Sequence, residues 1–205
     1  MAEPISVIIL AAGESRRMGQ PKLLLPWGET TVLGKVITTF AAGLVPVATD
    51  GWEIIVVTGA ASRHVENLVL QLSNNYPVHT INNPDYANSG MLGSLQAGLR
   101  AVSSTGGAAL IGLGDQPQVR PETIQSICAA YFQTGSSLVV PSFRQRRGHP
   151  WLASRSLWPE ILALPATTTS RQFLNAHIKD IEYVPADESI LQDLDTPEEY
   201  GRLKP

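Results

Sequence analysis

The strongest constraint on how this chain can fold is the alternation of short apolar runs with segments of helical period. Residues 5–11 form a continuous apolar run rich in Val and Ile, the pattern of a strand buried on both faces, as in a parallel sheet. In 31–40, Val32, Leu33, Val36, Ile37 and Phe40 fall at helical spacing. Residues 53–58 (EIIVVT) read as a second buried strand, and Val65, Leu68, Val69 and Leu72 mark another helix. A third short strand is expected at 77–81, then a helix starting near Ser89 that carries Leu92, Leu95 and Leu99. The run 108–113 is a fourth strand. Arg120, Pro121 and Glu122 open a helix, with Pro where its missing N–H costs nothing. Its apolar face is Ile124, Ile127, Cys128 and Tyr131. Strands at 138–141, 150–154 and 181–184 and helices at 155–164, 170–177 and 197–203 complete the reading. Strands alternating with helices imply an α/β fold, Rossmann-like, with a mostly parallel sheet and helices on both faces. There is no internal repeat and no break in composition, so residues 1–205 read as one domain.

Composition narrows the function classes. Apolar residues make up 43% and charged residues 16%, which excludes a disordered, highly solvated chain. A net charge of −3 argues against nucleic acid as a partner. A single cysteine, Cys128, excludes an intrachain disulfide and any multi-cysteine metal site. The first residues carry no basic segment, and their apolar run stops at Gly13, so no signal peptide is expected. No stretch of about 18 apolar residues occurs, so no membrane span is expected either. A cytoplasmic protein with no membrane partner is the default expectation.

In a sheet of this kind ligands sit at the carboxyl ends of the strands, which directs attention to 11–22, 82–94, 114–117, 141–150 and 185–195. The stretch 10–22 reads LAAGESRRMGQPK. Small residues after a buried strand let backbone N–H groups approach a ligand closely. Arg16, Arg17 and Lys22 add three cations within seven positions, and the combination suits a triphosphate. It is neither GxGxxG nor a P-loop ending in GK[ST], and its charge alone also describes a solvated surface turn. In GDQP, Asp115 directly follows a buried strand. It could hold Mg²⁺, which takes oxygen ligands and few of them from protein, or simply begin a turn. Thr196, Pro197, Glu198 and Glu199 read as helix initiation, with Thr196 as N-cap and Pro197 at N1. That leaves Asp193 and Asp195 unexplained, and strand-like alternation would point them the same way. Around Gly90 to Leu99 the plain reading is a leucine-faced helix capped by Ser89. In 144–150, three arginines beside Gly148 and His149 could grip an anionic second substrate through bidentate phosphate contacts, or form a solvated hairpin tip. His64, His79 and His177 have no ligand spacing and read as surface or packing residues.

The run Leu10 to Lys22 resembles LAAGxSxRMGxxK, the signature of nucleotidyltransferases that activate a substrate with a nucleoside triphosphate, and in particular of the molybdenum cofactor cytidylyltransferases. GDQP resembles that family's metal-binding motif. LQDLDTPEEY resembles its DIDTPED segment, in which one aspartate shares the metal; Asp195 is favoured and Asp193 is the other candidate. Gly90, Met91 and Ser94 resemble the family's GMxxSLxxGL, which lines the base and ribose pocket, although the family usually places Ser near position 93, here glycine. Gly148-His149-Pro150 resembles the segment bordering the pterin-phosphate site. A Gly-Ala-Arg element of the family is replaced here by Thr167-Thr168-Thr169-Ser170-Arg171. The likeness runs from about residue 5 to 203.

The resemblance implies Mg²⁺-dependent transfer of CMP from CTP to the terminal phosphate of the cofactor, releasing pyrophosphate. Lys22, Arg16 and Asp115 would be catalytic. Leu10, Ala11, Ala12, Gly13, Arg17, Gly90, Ser94 and Gly114 would bind nucleotide, and Asp115 and Asp195 would hold the metal. Arg147, His149 and Pro150 would meet the second substrate. CTP and a molybdopterin-type cofactor are the implied partners, with a recipient molybdoenzyme or its chaperone. A related guanylyltransferase family carries Leu-Ala-Gly-Gly at the first motif; here position 12 is Ala, whose methyl takes room from a purine. A non-catalytic cofactor carrier would not need aspartates at both 115 and 195.

Overall fold

The computed structural model describes residues 4–49 and 51–205. The chain forms β1 (Ile5–Ala11), a small hairpin of β2 (Pro26–Trp27) and β3 (Thr30–Thr31), α1 (Val32–Leu44), β4 (Trp52–Thr58), α2 (Ser62–Leu72), β5 (Val78–Asn82), α3 (Tyr86–Ala101), β6 (Ala108–Leu113) and α4 (Pro121–Thr134). Then come β7 (Leu138–Phe143), β8 (Arg146–Arg147), β9 (Trp151–Ser154), α5 (Trp158–Ala163), α6 (Ser170–Ala176), β10 (Ile181–Pro185) and α7 (Pro197–Leu203). Single 3-10 turns occupy Arg16–Met18, Lys22–Leu24, Arg155–Leu157 and Glu188–Leu191.

The main sheet runs β10-β7-β9-β6-β1-β4-β5, with β8 paired to β7. Its ladders are parallel except where β9 lies antiparallel to β6 and β7, and β8 to β7. Helices cover both faces, as the alternation of strands and helices predicts. Val7 and Ile9 of β1 point to the layer of α1, α2 and α4, where Leu33, Val36, Val65 and Ile124 meet them. Ile8 points the other way, into the layer under α3 that holds Leu95 and Leu99 and continues through Trp158 of α5 and Phe173 of α6. Such two-sided burial is why the central strands read as unbroken apolar runs. Gly112 in β6 is required by packing: a Cβ there would stand 2.3 Å from Cζ of Phe40.

β1 is flanked by β4 on one side and β6 on the other. The chain winds outward through β4 and β5 and then returns to β6, so the direction of winding reverses beside β1. In an open α/β sheet that reversal opens a crevice at the carboxyl ends of the two strands, and Ala11–Gly13 and Leu113–Asp115 emerge into it.

The structure departs from the sequence reading in three places. α3 begins at Tyr86, after Asp85, and is broken at Gly90 (φ 59°, ψ −159°); Ser89 is not its cap but a buried residue at the break. The helix expected at 155–164 divides into a 3-10 turn and the short α5. The β2–β3 hairpin had no signal, since two-residue strands carry no periodicity. Thr196 caps α7 as expected, through a reciprocal capping box with Glu199. A satellite core of Trp27, Val32 and Leu194, joined by Leu25, Tyr200 and Leu203, ties that hairpin to α7, and Tyr200 Oη donates to the Pro26 carbonyl at 2.5 Å.

Candidate active site

The crevice is a cavity of about 590 Å³. One wall is the loop after β1: Leu10, Ala11, Ala12, Gly13, Arg16, Arg17 and Lys22 all line it. The loop is fixed by the buried side chain of Met18 and by the Lys22 N–H, which donates to Ser15 Oγ at 3.2 Å. Ser15 holds a left-handed φ of 53° at the start of the turn. Leu113 and Asp115 form the floor, Asp193 and Asp195 the far side, and Tyr86, Gly90, Met91 and Ser94 the remaining wall. Gly114 does not line the cavity. It lies buried beneath, its N–H donating to the Leu10 carbonyl at 3.0 Å, where a Cβ would stand 3.2 Å from that oxygen.

The charged groups converge. Lys22 Nζ lies 2.5 Å from Asp115 Oδ2 and 2.8 Å from Asp195 Oδ1. Arg17 Nη2 lies 2.6 Å from Asp195 Oδ2. Arg16 is paired with Glu14 on the rim. Burial works against the Lys22 ammonium, but the carboxylates of Asp115 and Asp195 outweigh it and raise its pKa above the ordinary lysine value. Burial likewise opposes the Asp195 charge, yet Lys22 and Arg17 prevail and lower its pKa. Asp193 goes the other way, raised by burial and by the neighbouring Asp115 charge. The two aspartates that the sequence could not separate thus differ: Asp195 is the paired anion of the site, whereas Asp193 accepts from Gln116 Nε2 at 2.7 Å.

The far wall is held by α7. Leu194, fully buried in the satellite core, separates the two aspartates. Its N–H donates to the Asp115 carbonyl at 3.2 Å, and the Asp195 N–H donates to Glu199 Oε2 at 2.9 Å. The Ser94 wall is set by Asn83, whose buried Nδ2 donates at 3.1 Å to both Ser89 Oγ and Ser94 Oγ. Gly59 makes room for Tyr86: a Cβ there would stand 2.7 Å from the ring and 2.6 Å from the Ala12 carbonyl. Sequence reasoning missed Tyr86, Asn83 and Gln116. Asn83-Pro84 directly after a strand was the available signal for Asn83, and the GDQP motif carried Gln116 without giving it a role; Tyr86 had no signal.

Arg147 and His149 line a different cavity, of about 420 Å³, with Arg146, Trp151, Arg171 and Asn175. Arg147 Nη1 donates to Asn175 Oδ1 at 2.9 Å. Burial pushes the His149 pKa down to about 4, so the ring is neutral at pH 7. Among the described residues His149 Nε2 and Trp151 Nε1 are buried without a hydrogen-bond partner. Pro150 is buried behind this cavity and does not line it. Arg144 stays exposed at the hairpin tip, over the Phe143 ring. The Ile190 carbonyl accepts from the His149 N–H at 3.2 Å and from Gln116 Nε2, the partner of Asp193, at 3.5 Å.

Carboxylates are hard oxygen donors of the kind a divalent Mg²⁺ takes. Among the described residues no three His, Cys, Asp or Glu are gathered as a ready-made metal site. Mg²⁺ does not need three, since it is usually held by one or two carboxylates with waters and substrate phosphates completing the shell. Asp115 and Asp195 fit that pattern.

Residues 7–181 match the MobA-like NTP transferase domain. The chain is 30% identical, over 98% of its length and 95% of the relative's, to the molybdenum cofactor cytidylyltransferase of Escherichia coli K12. Among solved structures it resembles Rv0371c of Mycobacterium tuberculosis H37Rv, at TM-score 0.81 and 26% identity, with 100% of this chain and 98% of that one covered. It also resembles a nucleotidyl transferase of Methanothermobacter, at TM-score 0.77 and 26% identity over 98% and 95% of the two chains. With the cation-lined loop, the paired aspartates and the strand order already in hand, the chain belongs to the MobA-like NTP transferase family and is a nucleotidyltransferase related to the molybdenum cofactor cytidylyltransferases.

Proposed function

We propose that this protein, acting as one nucleotidyltransferase domain over residues 1–205, transfers CMP from CTP to the terminal phosphate of a molybdopterin-type cofactor and releases pyrophosphate. The observation that carries the reading is the meeting of Lys22 with Asp115 and Asp195 at the end of β1, in one cavity with Ala12 and Ser94. The attacking phosphate oxygen is already ionised at pH 7, so no general base is needed. Attack on the α-phosphorus of CTP forms one P–O bond while the bond to pyrophosphate breaks. The chain's task is positioning and charge neutralisation. Lys22, Arg16 and Arg17 neutralise the triphosphate, and the loop from Leu10 to Gly13 brings backbone close to the nucleotide. Gly90 and Ser94 face its base and ribose, while Gly114 supports the loop from beneath. Asp115 and Asp195 would hold a Mg²⁺ ion, which when bound supplies charge stabilisation to the reacting phosphates. Arg147, His149 and Arg171 receive the anionic second substrate, with Pro150 behind them.

The Ala12 methyl supports cytosine over guanine, because it occupies the wall where a purine needs room. The work is assigned to the cytoplasm, with a molybdoenzyme or its chaperone as recipient and neither nucleic acid nor membrane as partner. No helix among the described residues is long and apolar enough to cross a membrane. The test is pyrophosphate release with Mg²⁺ and cofactor, using CTP, GTP, ATP and UTP in parallel. Turnover with CTP above the others supports the reading; preference for GTP makes the protein a guanylyltransferase; release with none overturns it.

A further inference from the structure

The oxygens best placed to take a divalent ion already hold a cation of the protein's own. Lys22 Nζ stands 2.5 Å from Asp115 Oδ2 and 2.8 Å from Asp195 Oδ1, and its side chain is only 13% exposed. A Mg²⁺-sized ion lies about 2.0–2.1 Å from each oxygen it binds, so an ion using either oxygen would stand within about 5 Å of Nζ from any direction of approach. A +2 charge and an ammonium that close, in a site only partly open to water, repel. The Lys22 backbone is tied to Ser15 Oγ, so it is the flexible four-carbon stem that can move. An ammonium leaving two carboxylates needs another anion to receive it.

We propose that Lys22 is a placeholder cation: in the free protein it occupies the Asp115–Asp195 pair, and it yields that pair to a divalent ion only when a triphosphate is present to accept the ammonium. Metal and triphosphate then bind with positive coupling, typically 5–150-fold in such linked systems, and the metal alone binds poorly. The proposal rests on the reading that Asp115 and Asp195 are metal ligands.

The experiment measures Mn²⁺ binding to the full chain without nucleotide, from the electron paramagnetic resonance signal of the free ion. Wild type is compared with Lys22→Gln, Lys22→Met, Lys22→Arg and Arg16→Gln, each checked for a cooperative melt. Lys22→Gln, or Lys22→Met should the first fail to fold, binds Mn²⁺ at least about ten-fold more tightly than wild type, at the lower part of the usual coupling range. Lys22→Arg restores weak binding. Arg16→Gln removes a charge from the same cavity, but from the Glu14 pair, and shifts the affinity less than about three-fold, the small effect expected of an exposed ion pair. Equal or weaker Mn²⁺ binding by the neutral Lys22 variants overturns the proposal, as does an equal gain in Arg16→Gln, which would make the effect one of general field. Adding Asp115→Asn to Lys22→Gln abolishes the gain if the ion sits on this pair. A gain that survives Asp115→Asn removes the metal reading itself, whereas tight Asp115-dependent binding already present in wild type leaves that reading standing and removes only the placeholder.

Discussion

Leu194→Ala is the substitution that most directly links packing to chemistry in this protein. Leu194 is fully buried, but in the satellite core with Trp27 and Val32 rather than in either large layer. Truncating a buried leucine costs about 2–5 kcal/mol, with the upper end reserved for rigid surroundings that keep the cavity open. Here the surroundings are a two-residue hairpin and a helix of two turns, both able to close in, so the lower part of that range applies, about 2–3 kcal/mol. For a chain of this size that lowers Tm by roughly 4–12 °C. The collapse moves α7, and with it the two aspartates on either side of residue 194. Leu194→Ala therefore loses kcat by at least about ten-fold even at temperatures where it is fully folded, because a displacement on the scale of 1 Å at a reacting centre costs about a hundred-fold. The comparison is Ile127→Ala on α4, also fully buried but in the large core layer rather than the satellite core and not part of the cavity lining; it loses similar stability and keeps its kcat. Urea titrations give the stabilities, and pyrophosphate release the rates. A Leu194→Ala enzyme with wild-type kcat, or an Ile127→Ala enzyme equally impaired at matched folded fraction, would refute the idea that the satellite core sets the site.

Asp115→Ala removes several kcal/mol of transition-state charge stabilisation and abolishes pyrophosphate release while Tm stays near wild type; a folded, active Asp115→Ala enzyme removes the metal assignment. Ala12→Gly frees the volume of one methyl on the cavity wall and shifts the CTP:GTP preference toward GTP by about 1–3 kcal/mol, read from competition assays, with an unchanged ratio placing base choice near Gly90 to Ser94 instead. His149, its pKa pushed down to about 4 by burial, is protonated in the unfolded chain below about pH 6.5 but stays neutral in the folded one. Folding stability therefore falls as pH drops from 6.5 towards 4, by up to about 3 kcal/mol, and in urea titrations across that window His149→Phe shows a shallower loss than wild type. Cys128, buried with its thiol pKa pushed up to about 12, reacts with a thiol reagent at pH 8 only after unfolding, so rapid native labelling would contradict its place in the core.

The central strands were legible because burial on both faces leaves each a continuous apolar run, and in a sheet of such strands the ligand crevice lies at their carboxyl ends, where the cavity is found. The direction of β9 was not, since an antiparallel insertion uses the same residues as a parallel strand. The start of α3 was hidden by Gly90: a residue outside helical space cuts the turn at Tyr86–Ser89 off from the leucine periodicity that follows. Asp193 and Asp195 both reach the cavity, but through an irregular segment rather than strand alternation. Their partners, Gln116 for one and Lys22 with Arg17 for the other, lie 77 to 178 residues away in sequence, beyond anything local pattern can register. Of the three arginines at the hairpin, Arg144 is the exposed tip, whereas Arg146 and Arg147 line a cavity.

The ion pair between Lys22 and Asp195 joins positions 173 residues apart, and that separation has a meaning in time. At about 5–20 residues per second of synthesis, Lys22 is made roughly 9–35 s before Asp195. During that interval Lys22 has neither of its carboxylate partners until Asp115 is made, 93 residues on, and only one of them until Asp195 follows. The cluster of Lys22, Asp115 and Asp195 is therefore among the last features that a growing chain can complete.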